Sequence, residues 1–245
     1  MKIGYVIPAY FGDRNSNHSK LNIDNLFYIK TQLEYINKLT TNISNIYIIC
    51  TFSENEDKQS ILSNLIDITK NYKNIFTYTR DNLGGSYCSW KTALDIDDGD
   101  SDYIILSEDD YVIYDTNSIN YMLDYFKDDN ELFYLCQFWD KRPYYCSYYN
   151  QIIPEHAALS IGMINNKLYN FYKNTNNIDF KLVYETGYGA MYANQASFLE
   201  NYRLNNIKIT DWTNKYSSYY PHSDIDYGMK DKPIIFYPII DKFFN

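Results

Sequence analysis

Long apolar runs, basic clusters, paired cysteines and glycine-rich phosphate loops are all scarce in this sequence, and each scarcity removes a class of function. No stretch approaches the ~18 apolar residues needed to cross a bilayer. The N-terminal apolar segment stops at Gly12, Asp13 and Arg14, too soon for a secretory signal with its cleavage site. A soluble, cytoplasmic protein with no transmembrane segment is therefore expected. Lys and Arg number 22 against 31 Asp and Glu, for a formal charge of -9, and no Lys/Arg stripe stands out. A chain of this kind has little with which to neutralise a run of phosphates, so no nucleic acid partner is expected. Cys50, Cys88, Cys136 and Cys146 lack CxxC spacing and lie in apolar or aromatic settings. They read as buried free thiols rather than disulfides or zinc ligands. No GxGxxG follows the first apolar run, which argues against a dinucleotide-dependent dehydrogenase.

What is present is enough for a sizeable core. The 245 residues are 45% hydrophobic, and with neither an internal repeat nor a clean linker they read as one domain. Tyr, Asn, Ile and Lys dominate, all with AT-rich codons, so aromatic clusters carry less weight here than elsewhere.

Periodicity gives an alternating order of elements. Ile3 to Tyr10 reads as a buried strand, and Leu26, Ile29, Leu33 and Ile36 lay one apolar face along a helix from about Ser19 to Leu39. Asn45 to Phe52 is a second strand. Ser53-Glu54-Asn55-Glu56 has the form of a capping box, opening a helix that turns Ile61, Leu62, Leu65 and Ile66 inward. A third strand spans Ile75 to Arg80, "NLGGS" is a turn, a helix covers Tyr87 to Ile96, and a fourth strand covers Tyr103 to Leu106. Strand alternating with helix predicts a mostly parallel α/β sheet with right-handed crossovers. The second half is less regular: strands over Leu132 to Trp139 and Ala157 to Ile164, an aromatic loop "KRPYYCSYYNQ", helices near Asn166 to Lys173 and Asn194 to Leu204, and short strands near Ile207 to Ile209 and Ile234 to Tyr237.

In such sheets ligands bind beyond the carboxyl ends of the strands. Four sets of residues fall there: Pro8 to Tyr10, Ser53 and Glu54, Arg80 to Gly85, and the acids Glu108, Asp109 and Asp110. An acid triplet alone is weak in a chain this acidic. Its convergence with three other strand ends is not.

In order and spacing, "IGYVIPAY", the polar residue after the second strand, "RDNLGG" and "IILSEDD" resemble the nucleotide-binding half of glycosyltransferases with the GT-A (Rossmann-like) fold, with Glu-Asp-Asp standing where Asp-x-Asp is commoner. The resemblance covers residues 1–115 and implies a nucleotide-sugar-binding half, followed by an irregular acceptor half at 116–245. It implies that Asp110 touches Mn²⁺ or Mg²⁺, with Glu108 or Asp109 on ribose or metal-bound water. His222 would complete the metal shell, since some relatives recruit a late histidine.

The residue chemistry agrees. A nucleoside diphosphate brings two phosphate charges to an acidic protein, and a divalent cation on hard carboxylate oxygens supplies the missing positive charge. Pro8, Ala9 and Tyr10 would line the base pocket, with Tyr10 available to stack, and Glu54 could accept from uracil or ribose. Arg80 and Lys91 are the basic residues nearest this rim. Asn82, Gly84 and Gly85 form its turn, where glycine allows positive φ and close approach. An inverting transferase also needs a carboxylate to take the acceptor's proton. Glu185 in "LVYETGYGAMY" is preferred over Asp179 and Asp211, and His156 is a weaker acceptor-side candidate.

The expected activity is transfer of a sugar from a nucleoside diphosphate, with UDP favoured, to a hydroxyl acceptor such as a glycan. One rival is a sugar-1-phosphate nucleotidyltransferase, although the N-terminal Gly-rich loop with Arg that marks those enzymes is missing. A non-catalytic protein that binds glycans or nucleotide sugars is the other.

Overall fold

The computed structural model describes residues 1–12, 25–140, 144–146, 150–153, 156–175, 183, 185, 193–194, 205–211 and 236–239. Strands β1 (Ile3–Phe11) and β2 (Asn45–Phe52) are buried along almost their whole length. That is why they read as continuous apolar runs: an inner strand of a parallel sheet is covered on both faces. β1 pairs with β2 in parallel from Gly4↔Asn45 to Phe11↔Phe52. β2 pairs in parallel with β3 (Ile75–Thr79), and β1 with β4 (Tyr103–Leu106).

Beyond β4 the sheet becomes mixed. β9 (His156–Asn165) runs antiparallel to both β4 and β6 (Leu132–Asp140), so β6 points the same way as β4, and β10 (Lys208–Asp211) lies parallel to β6. The seven strands take the order β10-β6-β9-β4-β1-β2-β3. The mostly parallel α/β sheet expected from the sequence is therefore present, with one reversed strand inside it.

Helix α1 (Asn25–Ile36) buries Tyr28, Ile29, Gln32, Leu33 and Ile36, the inward stripe expected of it. Residues 19–24 of the expected helix lie outside the described residues. Helix α2 (Lys58–Thr69) starts later than the Ser53 capping box suggested. Asp57 is its N-cap and accepts from Ser60 N at 3.2 Å, while Ser53 instead accepts from Glu56 N in a turn. An Asp directly before the first turn wins because its short carboxylate reaches the third helical N–H. Ile66, expected to face inward, is 66% exposed, since α2 lies near the sheet edge and only Leu65 is fully covered.

Helix α3 (Gly85–Asp97) contributes Trp90, Ala93 and Leu94 to the core. Three elements were not expected: β5 (Tyr111–Ile113), α4 (Ser118–Asp128) and the hairpin β7 (Tyr144–Cys146)–β8 (Gln151–Ile153) inside the aromatic loop. α4 buries Ile119, Met122, Leu123 and Phe126 at regular helical spacing. α5 (Asn166–Thr175) follows β9, and β11 (Phe236–Pro238) pairs antiparallel with β5. The helix expected at Asn194 to Leu204 lies outside the described residues, apart from its first residue.

Among the described residues no helix is long and apolar enough to cross a membrane. Cys50, Cys88 and Cys136 are buried free thiols, as expected.

Candidate active site at the carboxyl edge of the sheet

The parallel strands end at different heights. β4 stops where Leu106 faces Val6, while β1 continues to Phe11 beside β2. Val6 C=O accepts from Ser107 N at 3.3 Å, so even-numbered residues of β1 turn their polar groups toward β4. Pro8 falls in this set just past the end of β4, where its missing N–H leaves no ladder bond unmade. Tyr10 is the next residue of the set, and its N–H donates to Asp109 Oδ2 at 3.1 Å. The middle acid of the triplet thus completes the sheet where β4 has ended.

The chain from Ser107 to Asp110 forms a loop in this gap, and every main-chain carbonyl in it accepts a hydrogen bond. Ser107 C=O takes Trp90 Nε1 at 2.8 Å, Glu108 and Asp109 C=O take Gln32 Nε2 at 2.8 and 2.6 Å, and Asp110 C=O takes Ile239 N at 2.8 Å. Three separate elements, α3, α1 and the segment after β11, supply the donors. The Glu108 carboxylate accepts from Ser86 Oγ in the first turn of α3. Glu108 and Asp110 are half-buried and Asp109 is buried.

The turn before α3 is built on Gly84, whose φ of +69° is left-handed and where a Cβ would meet Cys88 Sγ at 2.1 Å. Only glycine suits this position. Arg80 donates to Leu83 C=O, to Gly85 C=O at 3.4 Å and to Ser89 Oγ at 3.2 Å, clasping the turn it begins. Asn82 is half-buried and Gly85 exposed on the same turn. Burial pushes the Cys88 thiol up, with the Arg80 and Lys91 charges opposing it.

This turn is tied to the second half of the chain. Gly84 N donates to Glu185 C=O at 2.8 Å, and the buried Asn194 donates to Gly84 C=O at 3.2 Å while accepting from Val183 N at 2.6 Å. The segment carrying Glu185 is therefore fixed beside the N-terminus of α3, and the Glu185 residue itself is exposed.

The remaining expected site residues divide. Pro8 and Ala9 are buried within the sheet. Tyr10 is half-buried, and its phenol lies against Gly12 beside Ser53, leaving no room for a Cβ at Gly12. Glu54 is exposed just past β2. Lys91 forms an ion pair with Asp95 at 2.8 Å, one helical turn further from the strand ends, and Asp95 also meets Lys173 at 2.5 Å. Asp179 and His222 lie outside the described residues, as do the side chains of His156 and Asp211.

Sequence reasoning missed Gln32, Ser86, Trp90, Asn194 and Ile239. Gln32 alone left a trace: it is a polar residue on the apolar stripe between Ile29 and Ile36.

No group of three or more His, Cys, Asp or Glu side chains among the described residues is arranged to hold a metal ion. A site completed by phosphate oxygens and water needs only one or two carboxylates. Glu108 and Asp110 offer the hard oxygen donors that suit Mn²⁺ or Mg²⁺, on a loop whose main chain is already fixed, and on that donor chemistry they fit the ion.

No protein-family model matches the chain, and no curated protein sequence matches it. Solved structures do. The mannosyltransferase of Pyrobaculum calidifontis in complex with GDP-Man and Mn²⁺ aligns over 86% of this chain and 54% of its own, with a TM-score of 0.52 and 10% identity. The chain has a GT-A-like fold. CMP:2-keto-3-deoxy-manno-octonic acid synthetase complexed with CTP aligns over 86% of this chain and 89% of its own, with a TM-score of 0.51 and 9% identity. The GT-A-like chain thus spans about half the length of the mannosyltransferase and nearly the whole of the synthetase. At such identities the likeness speaks for the fold alone.

Proposed function

We propose that the chain is a metal-dependent, inverting glycosyltransferase that moves a sugar from a nucleoside diphosphate, with UDP preferred, to a hydroxyl of a glycan acceptor. The observation that carries this reading is the Glu108–Asp110 loop, which fills the gap at the carboxyl end of β4 with its carbonyls held from three directions. Residues 1–115 bind the donor and 116–245 the acceptor. Tyr10 stacks on the base, Glu54 accepts from uracil or ribose, and the Gly84–Gly85 turn gives the diphosphate a close approach to the α3 N-terminus, with Arg80 and Asn82 holding that turn. Asp110 and Glu108 hold Mn²⁺ or Mg²⁺, with His222 as a further ligand. Lys91 adds positive charge behind α3.

A bound cation would neutralise charge that develops on the diphosphate as it leaves. Glu185 takes the proton of the acceptor hydroxyl as that oxygen forms its bond to the anomeric carbon. The bond from that carbon to the β-phosphate oxygen breaks with its electron pair going to the diphosphate. Asp179 is the alternative base. The carbonyl bond from Glu185 to Gly84 supports the first choice, since it ties this carboxylate's segment to the donor side of the site. The buried free thiols agree with the cytoplasmic location expected from the sequence.

A second reading, a sugar-1-phosphate nucleotidyltransferase, is favoured by the near full-length match to a synthetase. One experiment separates the two. UDP-, GDP- and dTDP-sugars are incubated with the protein and Mn²⁺, Mg²⁺ or EDTA, in parallel with nucleoside triphosphates plus sugar 1-phosphates. Metal-dependent release of nucleoside diphosphate supports the transferase. Pyrophosphate release supports the synthetase, and metal-independent sugar binding with neither product supports a non-catalytic binding protein.

A further inference from the structure

Gln32 is fully buried, and its amide has four polar contacts, all of them to the donor-side core. Its Nε2 donates to Glu108 C=O at 2.8 Å and to Asp109 C=O at 2.6 Å, so both of its protons are used on two consecutive carbonyls of the acidic loop. Its Oε1 lies 3.3 Å from Tyr5 Oη and 3.4 Å from Ser107 Oγ, whose shorter contact, 2.9 Å, is with Glu108 C=O. These hydroxyls fix which end of the amide faces the loop. A flipped amide would set its oxygen against two carbonyl oxygens.

We propose that Gln32 is a positioning residue for the donor site: it touches neither donor nor metal, and it sets the main-chain path from which Glu108 and Asp110 present their carboxylates. The inference rests on the transferase reading for what the loop binds. It does not rest on it for what holds the loop.

Two consecutive acids at a strand end repel each other and favour a splayed loop. Drawing both of their carbonyls onto one buried amide turns the peptide planes inward, and a peptide plane carries its neighbouring Cα–Cβ directions with it. No other described side chain donates to both carbonyls. Ser107 Oγ has a single proton and reaches only the first.

The test compares wild type with Gln32→Met, close in volume but without donors, and with Tyr5→Phe, which removes one of the hydroxyls that orient the amide. Amide hydrogen exchange is read across the chain, and UDP binding with and without Mn²⁺ is read by calorimetry. In Gln32→Met, exchange should rise at 107–111 while β1, β2 and the core of α3 stay protected, and Mn²⁺-dependent UDP affinity should fall about tenfold or more, as expected for two lost buried hydrogen bonds. Tyr5→Phe should move both readouts the same way by less, about threefold. Unchanged protection at 107–111 in a folded Gln32→Met protein would overturn the proposal. A loss of protection spread evenly over the core would overturn it too, because Gln32 would then be a packing residue. If wild type binds neither UDP nor Mn²⁺, the transferase reading fails, and the exchange pattern alone decides the role of Gln32. Should Gln32→Met not fold, Tyr5→Phe decides by the same local-against-global criterion.

Discussion

At the amino edge of the sheet, the buried Asp97 accepts from Tyr47 Oη at 2.7 Å, Ser101 Oγ at 2.6 Å, Ser101 N at 2.9 Å and Asn166 Nδ2 at 2.7 Å, while at the carboxyl edge the bracing of the acidic loop falls mainly on main-chain carbonyls. In the first region a carboxylate is the hub that gathers β2, α3 and α5, with both of its oxygens filled. In the second, helix side chains and a late segment gather the backbone around the carboxylates. The difference teaches how to tell a structural acid from a functional one in a chain with so many. A structural acid has its oxygens consumed by the fold, whereas a functional one has its backbone consumed and its side chain presented.

The largest effects should break this comparison cleanly in two. Asp110→Asn should abolish Mn²⁺-dependent UDP binding and leave thermal unfolding nearly unchanged, because a charged ligand is lost from a hard-cation site while the Asp110 C=O bond to Ile239 N remains. Asp97→Ala should do the reverse. It strands buried donors on Tyr47, Ser101 and Asn166 and should lower stability by roughly 3 kcal/mol, with donor affinity intact in the folded fraction. Calorimetry of binding and denaturant titration of both mutants give four numbers. If Asp110→Asn is the one that unfolds, the distinction is wrong.

Next in size is Glu185→Gln. A lost general base lowers turnover by about 10²- to 10⁴-fold, with donor affinity little changed, since the proton is transferred only in the acceptor step. Transfer assays read kcat and donor KM separately. Near-normal turnover would remove Glu185 from the mechanism and send the search to Asp179 and Asp211.

How much of this could be read from the chain follows from the same physics. β2 and β4 match the sequence reading to the residue, because inner parallel strands are apolar on both faces and end where solvent begins. The order of the four strand-end motifs was legible for the same reason. β5 was not, being three residues long and paired with a segment more than a hundred positions away. Nor was the α2 start, where two capping signals four residues apart competed and the one adjoining the first turn prevailed. α4 had a readable apolar stripe that went unread beside the acidic and aromatic residues interleaved with it. Asp110 and Glu108 were found as acids at a strand end. What makes that loop a built site, namely Gln32, Trp90 and Ile239, was hidden because each donor reaches it from a different element.

A middle-sized effect sharpens the link between the halves of the chain. Gly84→Ala places a Cβ on Cys88 Sγ and holds a left-handed φ with a side chain attached, which should lower stability by about 1–3 kcal/mol. Because Gly84 also holds Glu185 C=O, acceptor KM should rise more than donor KM. Adding Cys88→Ala relieves the contact and not the dihedral, so only part of the loss should return. Complete recovery in the double mutant would mean that backbone strain contributes nothing.

The smallest effect belongs to the amino edge and is read against pH. Lys167 Nζ lies 2.5 Å from Asp102 Oδ1, and Lys2 N–H donates to Oδ2 at 2.7 Å. The Lys167 bond first and the Lys2 main-chain bond second hold the Asp102 carboxyl below its ordinary range. A carboxyl depressed in the folded state contributes stability that is fully present above its unfolded pKa of about 4 and is lost as pH falls through the lower folded value. Lys167 is largely exposed, so the pair is worth at most about 1 kcal/mol, and less in high salt. Lys167→Met should therefore unfold slightly more easily than wild type at pH 7, and the gap should close as both are titrated below the ordinary carboxylate range. Donor affinity should be the same in both proteins at every pH, since no atom of this pair belongs to the carboxyl edge. A stability gap that widened on acidification would reverse the assigned sign. A change in donor binding would mean that the two edges are coupled through the sheet.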